Sequence, residues 1–325
     1  MIQLFLEPTF SQAGCKCILL GEHSAIYGHL AIACSLKEPK LTLQATPFPA
    51  GKNTWQDSFE LLAQGKKMAL DSSWLHKLHQ AFDLVTQKIC RVSLDEITPA
   101  KIQIISEIPI GAGLGGSASL AVSIIRLVEK AAQASLSLDT CQALALEIDT
   151  LFHGSASGID TLTILQEKAI SFRRSGVSEP LVVGKPFHLV VVDSQERCAT
   201  SHMVQKVSQL FAQKKTMVCE SLDHLGAIAQ QGLTAIAEGN LPFLAQGFRQ
   251  AHHELQKLGV STQKLNAIVE DLEHSGALGA KLSGGGGGGV ALGLLDELPS
   301  PQQIQLWKKW GDCFIVTIEK TTVSN

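Results

Sequence analysis

The stretch PIGAGLGGSASL, residues 109–120, decides how this chain is read. Its glycines separate two segments of different periodicity. Upstream, KIQIIS (101–106) alternates as a strand does; downstream, Leu120, Ile124, Leu127, Val128 and Ala131 recur at helical spacing to about Ala134. A glycine turn feeding a helix leaves free N–H groups at the helix's partly positive end, which suits a phosphate. Two familiar phosphate motifs can be tested against it. The Walker A pattern requires Lys after its last glycine, and Ser117 stands there instead, so that reading fails. Gly111, Gly113 and Gly116 match G-x-G-x-x-G, but the acidic residue expected about 20 positions on, at a strand end, is missing because Glu129 falls within the helical pattern. A glycine turn merely capped by Ser117 is the structural alternative.

Six consecutive glycines in KLSGGGGGGV (281–290) raise a related question. Each ordered glycine costs roughly 0.5–1 kcal/mol relative to alanine in regular structure. A linker would sit in polar, low-complexity sequence. This run instead joins Ala280-Lys281-Leu282 to Val290-Ala291-Leu292, both of buried-strand character. It reads as backbone that must approach a ligand or another segment closely.

Working outward, KCILL (16–20) reads as a buried strand, broken by GEHSAIYGH before LAIACSL resumes. Residues 40–75 are less legible, and 74–89 have helical spacing. A helix follows Ser137 as N-cap, with a stripe of Cys141, Leu144, Ala145, Ile148, Leu151 and Phe152, and ends at His153-Gly154. KAISF (168–172) and PFHLVVVDS (186–194) are strands. Helical patterns then occupy about 200–215, 219–237, 241–257 and 263–274, with strands AKLS, VALGLL and CFIVTIE near the end. The fold class is α+β, with a mixed α/β first half. At 325 residues and 45% hydrophobic content, two domains are expected: 1–180 and 181–325, divided in the polar RRSGVSEP (173–180), with the last strand free to return to the first domain.

A net charge of −3, from 27 basic and 30 acidic residues mixed along the chain, favours neither nucleic acid nor an anionic membrane as partner. An anionic ligand must be held by local groups. Eight scattered cysteines form no C-x-x-C pair, so structural zinc and a disulfide framework are not expected. Cys15 and Cys17 read as small buried hydrophobes. No apolar run reaches the 18 or so residues of a membrane span, no signal segment opens the chain, and no repeat is apparent. A soluble, cytoplasmic protein is expected.

Several charges sit where charge is expensive. Asp149, with Ala145 at i−4 and Phe152 at i+3, borders an apolar helix face, and Lys16 stands beside CILL. A buried carboxylate needs a cation or a metal; a strand lysine could also be an edge device against aggregation. Asp160 follows the small-residue loop HGSASG, where it could be a turn or cap residue. Glu22 and His23 could be plain loop residues, and Glu129 and Glu147 sit on polar faces. Together the pattern points to a nucleotide-dependent phosphoryl transferase without a P-loop: glycine loops for the triphosphate, one hydroxyl and one carboxylate for magnesium, an aspartate and a lysine for an acceptor hydroxyl.

These segments resemble the three blocks of the GHMP kinases, in order: CKCILLGEHSAIYG (15–28), PIGAGLGGSASL (109–120) and GAKLSGGGGGGV (279–290). GEH followed by YG, HGSASGID (153–160) and HELQKLGVS (253–261) resemble the mevalonate-kinase branch in particular. The resemblance implies an N-terminal α/β domain with a left-handed βαβ crossover, against the general rule. It further implies a ferredoxin-like C-terminal domain, with the active site in the cleft between. ATP and Mg²⁺ would be the cofactors and mevalonate the acceptor, with a homodimer compatible. It implies that Asp160 is the catalytic base or orienting carboxylate, with Lys16 beside it. Gly111, Ala112, Gly113, Leu114, Gly115, Gly116, Ser117 and Ala118 would hold the nucleotide, and Ser117 and Asp149 the magnesium. Glu22, His23, Thr200, Gly285 and Gly286, with Lys16 and Asp160, would line the substrate pocket.

The chain departs from the family pattern at Cys15, Ala156, Val290 and Ala251, none of which removes a charged catalytic group. Gly285 stands where alanine is usual, so a looser loop is expected, with Gly285→Ala tolerated or stabilising. The alternative acceptors within the family are phosphomevalonate, homoserine or a sugar; a catalytically dead ligand-binding relative is the alternative of another class.

Overall fold

Alternation of buried and exposed side chains builds the first two strands, β1 (Thr9–Leu20) and β2 (Ala31–Pro47), which pair with each other. From Cys15 to Leu20 the alternation gives way to uniform burial, so the segment read as a strand is the inner half of a longer one. This computed structural model describes residues 1–48, 53–154, 156–174 and 178–321. It divides into two compact units, neither continuous in sequence: residues 1–15, 37–110 and 115–167, and residues 16–36, 111–114 and 168–325. The last exchange between the two units falls at Lys168. Residues 175–177 of the expected boundary and Ser155 of HGSASGID lie outside the described residues.

In the first unit, the later part of β2 pairs antiparallel with β5 (Ala100–Ser106), Leu41 opposite Ser106 and Pro47 opposite Ala100. Between them in sequence come β3 (Phe59–Ala63), parallel to β5, β4 (Lys66–Met68), antiparallel to β3, and the helix α1 (Ser72–Cys90). The helix after the glycine turn is α2 (Gly116–Ala131), buried at every position from Ala118 to Ile125. It packs against α1, α3 (Leu138–His153) and α4 (Ile159–Gln166). Its buried hydroxyl at Ser119 is satisfied by donating to the Gly14 carbonyl at 2.7 Å. Ser137 caps α3 as expected, accepting from the Thr140 N–H, and Gly154 ends it at φ 77°.

In the second unit, the first residues of β2, Ala31–Cys34, pair antiparallel with β6 (Ala169–Phe172), which pairs in turn with β7 (Glu179–Pro180). The remaining elements are β8 (Phe187–Asp193), α5 (Thr200–Gln213), α6 (Lys215–Glu238), α7 (Leu241–Lys257) and α8 (Gln263–His274). After them come β9 (Gly279–Ser283), β10 (Val290–Leu295), α9 (Pro301–Trp307) and β11 (Cys313–Ile318). The sheet runs β11-β8-β10-β9, antiparallel throughout. Counted along the chain that is order 4-1-3-2, the split arrangement of a ferredoxin-like domain. The last strand stays here, beside β8. Helix α6 comes close to β1 and the loop after it through glycines: a Cβ on Gly232 would fall 2.2 Å from Leu20 Cδ1, and one on Gly226 would fall 2.3 Å from His29 Nδ1.

Among the described residues the cysteines form no disulfide. Cys15 and Cys17 are buried, and burial pushes the Cys17 thiol up to about 12. Among the described residues, no helix is long and apolar enough to cross a membrane.

Candidate active site

The first unit gathers a hydroxyl and a carboxylate at the start of α2. Gly115, at φ 77°, is the N-cap and has no side chain with which to bond the helix start. Ser117 therefore does not serve as the cap. Its Oγ donates instead to Asp149 Oδ1 at 2.6 Å. Asp149 comes from α3 and is 5% exposed, so the residue at the border of that helix's apolar face is indeed interior. A hydroxyl and a carboxylate, both hard oxygen donors, thus lie together at a helix N-terminus, an arrangement suited to phosphate and a divalent cation. Gly116 and Ala118 flank Ser117 in the same turn. Asp160 stands in the first turn of α4, just after Gly158 at φ 84°. A carboxylate there is favoured by the helix dipole.

The second unit holds the other predicted positions. Lys16 is 4% exposed, which removes the edge-device reading, and its N–H donates to the Leu114 carbonyl at 2.9 Å. That bond fastens segment 111–114 to β1. The six-glycine run closes on the same segment: a Cβ on Gly289 would fall 2.8 Å from the Ala112 carbonyl oxygen, and one on Gly284 would fall 3.5 Å from that of Gly113.

His23 adopts φ 57°, a costly conformation for a side-chain-bearing residue, and its Nε2 lies 2.9 Å from the Gly285 carbonyl. A carbonyl only accepts, so Nε2 carries the proton. Burial holds the His23 pKa below its ordinary value, so the ring is neutral. Thr200 opens α5 beside Gly285, where an added Cβ would come within 3.1 Å of Thr200 Cγ2. Gly286 is required outright: a Cβ would fall 2.2 Å from the Val260 carbonyl oxygen.

Glu22 lies inside the unit, its side chain 1% exposed and ion-paired through Oε1 with Lys281, itself fully buried. Burial pushes the Glu22 pKa up and the Lys281 charge opposes it. Its Oε2 has no hydrogen-bond partner. Lys281 escaped the sequence reading although it carried the signal that singled out Lys16, a charge embedded in apolar strand sequence. The structure thus joins Ser117 to Asp149, and His23 and Thr200 to Gly285. Asp160 belongs to the first unit and Lys16 to the second.

The GHMP kinase N-terminal domain matches residues 76–167 and the GHMP kinase C-terminal domain residues 233–315, together more than half of the chain. The chain is a GHMP kinase. Mevalonate kinase of Pyrococcus horikoshii is 29% identical to it over 306 residues, 89% of each chain. The L. major mevalonate kinase solved in complex with R-mevalonate superposes with a TM-score of 0.78 at 23% identity, over 99% of this kinase and 100% of that chain. The Methanococcus jannaschii mevalonate kinase gives 0.76, also at 23% identity, over 98% and 100%. At that identity the likeness is one of fold.

Proposed function

We propose that this kinase transfers the γ-phosphoryl group of ATP to the 5-hydroxyl of (R)-mevalonate, forming 5-phosphomevalonate. The observation that carries the reading is the Ser117–Asp149 pair, 2.6 Å apart in the first turn of α2, in a chain similar over most of its length to a mevalonate kinase. The phosphates would lie along 111–118, on backbone N–H groups. Ser117 and Asp149 would hold Mg²⁺, which when bound neutralises charge on the phosphates.

An alcohol keeps its proton at neutral pH, so catalysis needs help at that oxygen as the bond to phosphorus forms. Asp160 orients the hydroxyl and receives its proton. Lys16 favours the developing alkoxide; a unit charge about 4 Å away is worth roughly 4 kcal/mol at an effective dielectric of about 20. The buried setting of Lys16 leaves that charge little screened.

Incubation with ATP and mevalonate, with the product identified by mass, tests the reading. Phosphorylated mevalonate is expected. Turnover confined to phosphomevalonate, homoserine or a sugar would reassign the acceptor, and nucleotide binding without turnover on any of them would make the chain a binding relative. Lys16→Met should lose about 10²-fold or more in kcat, as deletion of a preorganised electrostatic group does. Asp160→Asn should lose most activity while keeping nucleotide affinity. Ser117→Ala and Asp149→Ala should shift the magnesium titration upward.

A further inference from the structure

The glycine run 284–289 has no side chains with which to anchor itself, so its position must come from bonds to its backbone and from the strand that launches it. Its far end is held by backbone alone: the Gly287 N–H donates to the Val260 carbonyl at 2.7 Å, that of Gly289 to Glu196 at 2.9 Å, and that of Ser194 to the Gly289 carbonyl at 2.8 Å. The near end departs from β9, a strand at the edge of its sheet with every residue buried. A buried edge leaves backbone donors and acceptors to satisfy, at about 1–3 kcal/mol for each one left bare.

Side chains satisfy them. The Ala280 N–H donates to Glu273 Oε1 at 3.0 Å, and the Leu282 N–H donates to His252 Nδ1 at 3.3 Å. Lys281 Nζ donates to the Leu282 carbonyl at 2.7 Å. Ser283 then imitates a strand pairing: its Oγ accepts from the Ile18 N–H and donates to the Ile18 carbonyl, each at 2.9 Å.

We propose that His252 and Lys281 grip the backbone of Leu282 on both sides of its Cα, by its N–H and by its carbonyl, and thereby set the position of the glycine run. They are positioning residues. His252, from α7, is buried, and its proton sits on Nε2, which donates to Asn266 Oδ1 at 3.2 Å; Nδ1 is left as the acceptor that Leu282 needs. Burial, with the Lys281 charge adding to it, holds its pKa at about 4, so the neutral ring persists at working pH. Lys281 reaches Leu282 while paired with Glu22, its Nζ 5.7 Å above the Phe248 ring. A buried ion pair adds little net stability over apolar side chains of the same size. Its use here is the grip, which also ties the Glu22–His23 loop to the run, since His23 bonds Gly285.

The role rests on the phosphoryl-transfer reading only for its catalytic consequence, and the test separates the two. Asparagine at position 252 places an oxygen where Nδ1 stands; glutamine places its amide where Nε2 stands. Hydrogen exchange of peptides covering 282–289 should run about tenfold faster or more in His252→Gln and stay near wild type in His252→Asn. Equal rates in the two variants would overturn the assignment. Lys281→Met/Glu22→Gln, which leaves no buried unpaired charge, should show the same acceleration as His252→Gln; wild-type protection there would remove Lys281 from the grip. If the chain is a mevalonate kinase, kcat/KM for mevalonate follows the exchange order, Asn above Gln. The exchange result needs no acceptor and stands or falls without that activity.

Discussion

The two glycine-rich segments look alike in sequence and meet their surroundings in opposite ways. A Cβ added to Gly113 would have its nearest neighbour at 3.9 Å and one on Gly116 at 4.0 Å, while on Gly111 it would fall 3.2 Å from Cδ of Arg197, whose guanidinium is held by Asp193. In the run, Cβ atoms on Gly286, Gly288 and Gly289 would fall 2.2, 2.5 and 2.8 Å from carbonyl oxygens of Val260, Glu196 and Ala112. The first segment is glycine where its backbone turns through positive φ, at Gly111, Gly113 and Gly115, and at Gly113 an added Cβ would meet no atom closer than ordinary contact. The run is glycine because the protein's own backbone already stands where a Cβ would go. One demand is conformational and the other is close packing.

Substitution should separate them. Gly286→Ala is expected to have the largest effect on stability: with φ at 77° and a carbonyl oxygen inside contact distance, about 3 kcal/mol or more should be lost in denaturant unfolding. A loss below about 1 kcal/mol would mean that the run yields easily, and the contrast would fail. Gly113→Ala should cost only the αL conformation, about 1–2 kcal/mol. Its main effect should appear in calorimetry as a tenfold or greater loss of nucleotide affinity, on the order of 1.4 kcal/mol, because the new methyl stands in the segment proposed to carry the phosphates. Unchanged affinity would move the phosphates away from residues 111–118.

The same contrast marks what could be read from the chain. Long periodic segments such as α3 and α7 were legible because burial follows their spacing, and α2 by the helical recurrence of its large apolar residues although it is buried all round from Ala118 to Ile125. Helix α4 was not: its eight residues, IDTLTILQ, include Thr161, Thr163 and Ile164, poor helix formers that only tertiary burial holds. Helix α9 had a signal that went unused, Ser300-Pro301 with Gln303 completing a capping box. In the site, charges embedded in apolar sequence located Lys16 and Asp149 correctly as buried. Their partners were a different matter. His23 meets Gly285, and Lys281 meets Glu22, across more than half of the chain, and no local pattern specifies which distant carbonyl or carboxylate a side chain will find. Likewise, the glycine run announced close approach, but only coordinates show that the close neighbour is mostly protein.

Gly285 lies between the two cases and should give the smallest effect. It is the member of the run outside the left-handed region, so alanine carries no backbone penalty there. Nor is its surrounding open, as the sequence alone suggested: the added Cβ would lie 3.1 Å from Thr200 Cγ2 and 3.3 Å from both Thr200 Cα and Oγ1. The methyl gained and the crowding of Thr200 work against each other. Gly285→Ala should therefore change unfolding stability by no more than about 1 kcal/mol, with reduced unfolded-state entropy offsetting part of the contact. Thr200 opens α5, so the strain should be relieved by a shift of a few tenths of an ångström at that helix end, and Thr200→Ser in the Gly285→Ala background should recover what was lost by removing the closest atom. A loss as large as that of Gly286→Ala would show that the entire run is fixed by packing. A clear gain would show instead that the Gly285 end belongs with Gly113 and Gly116, where an added methyl meets only ordinary contacts.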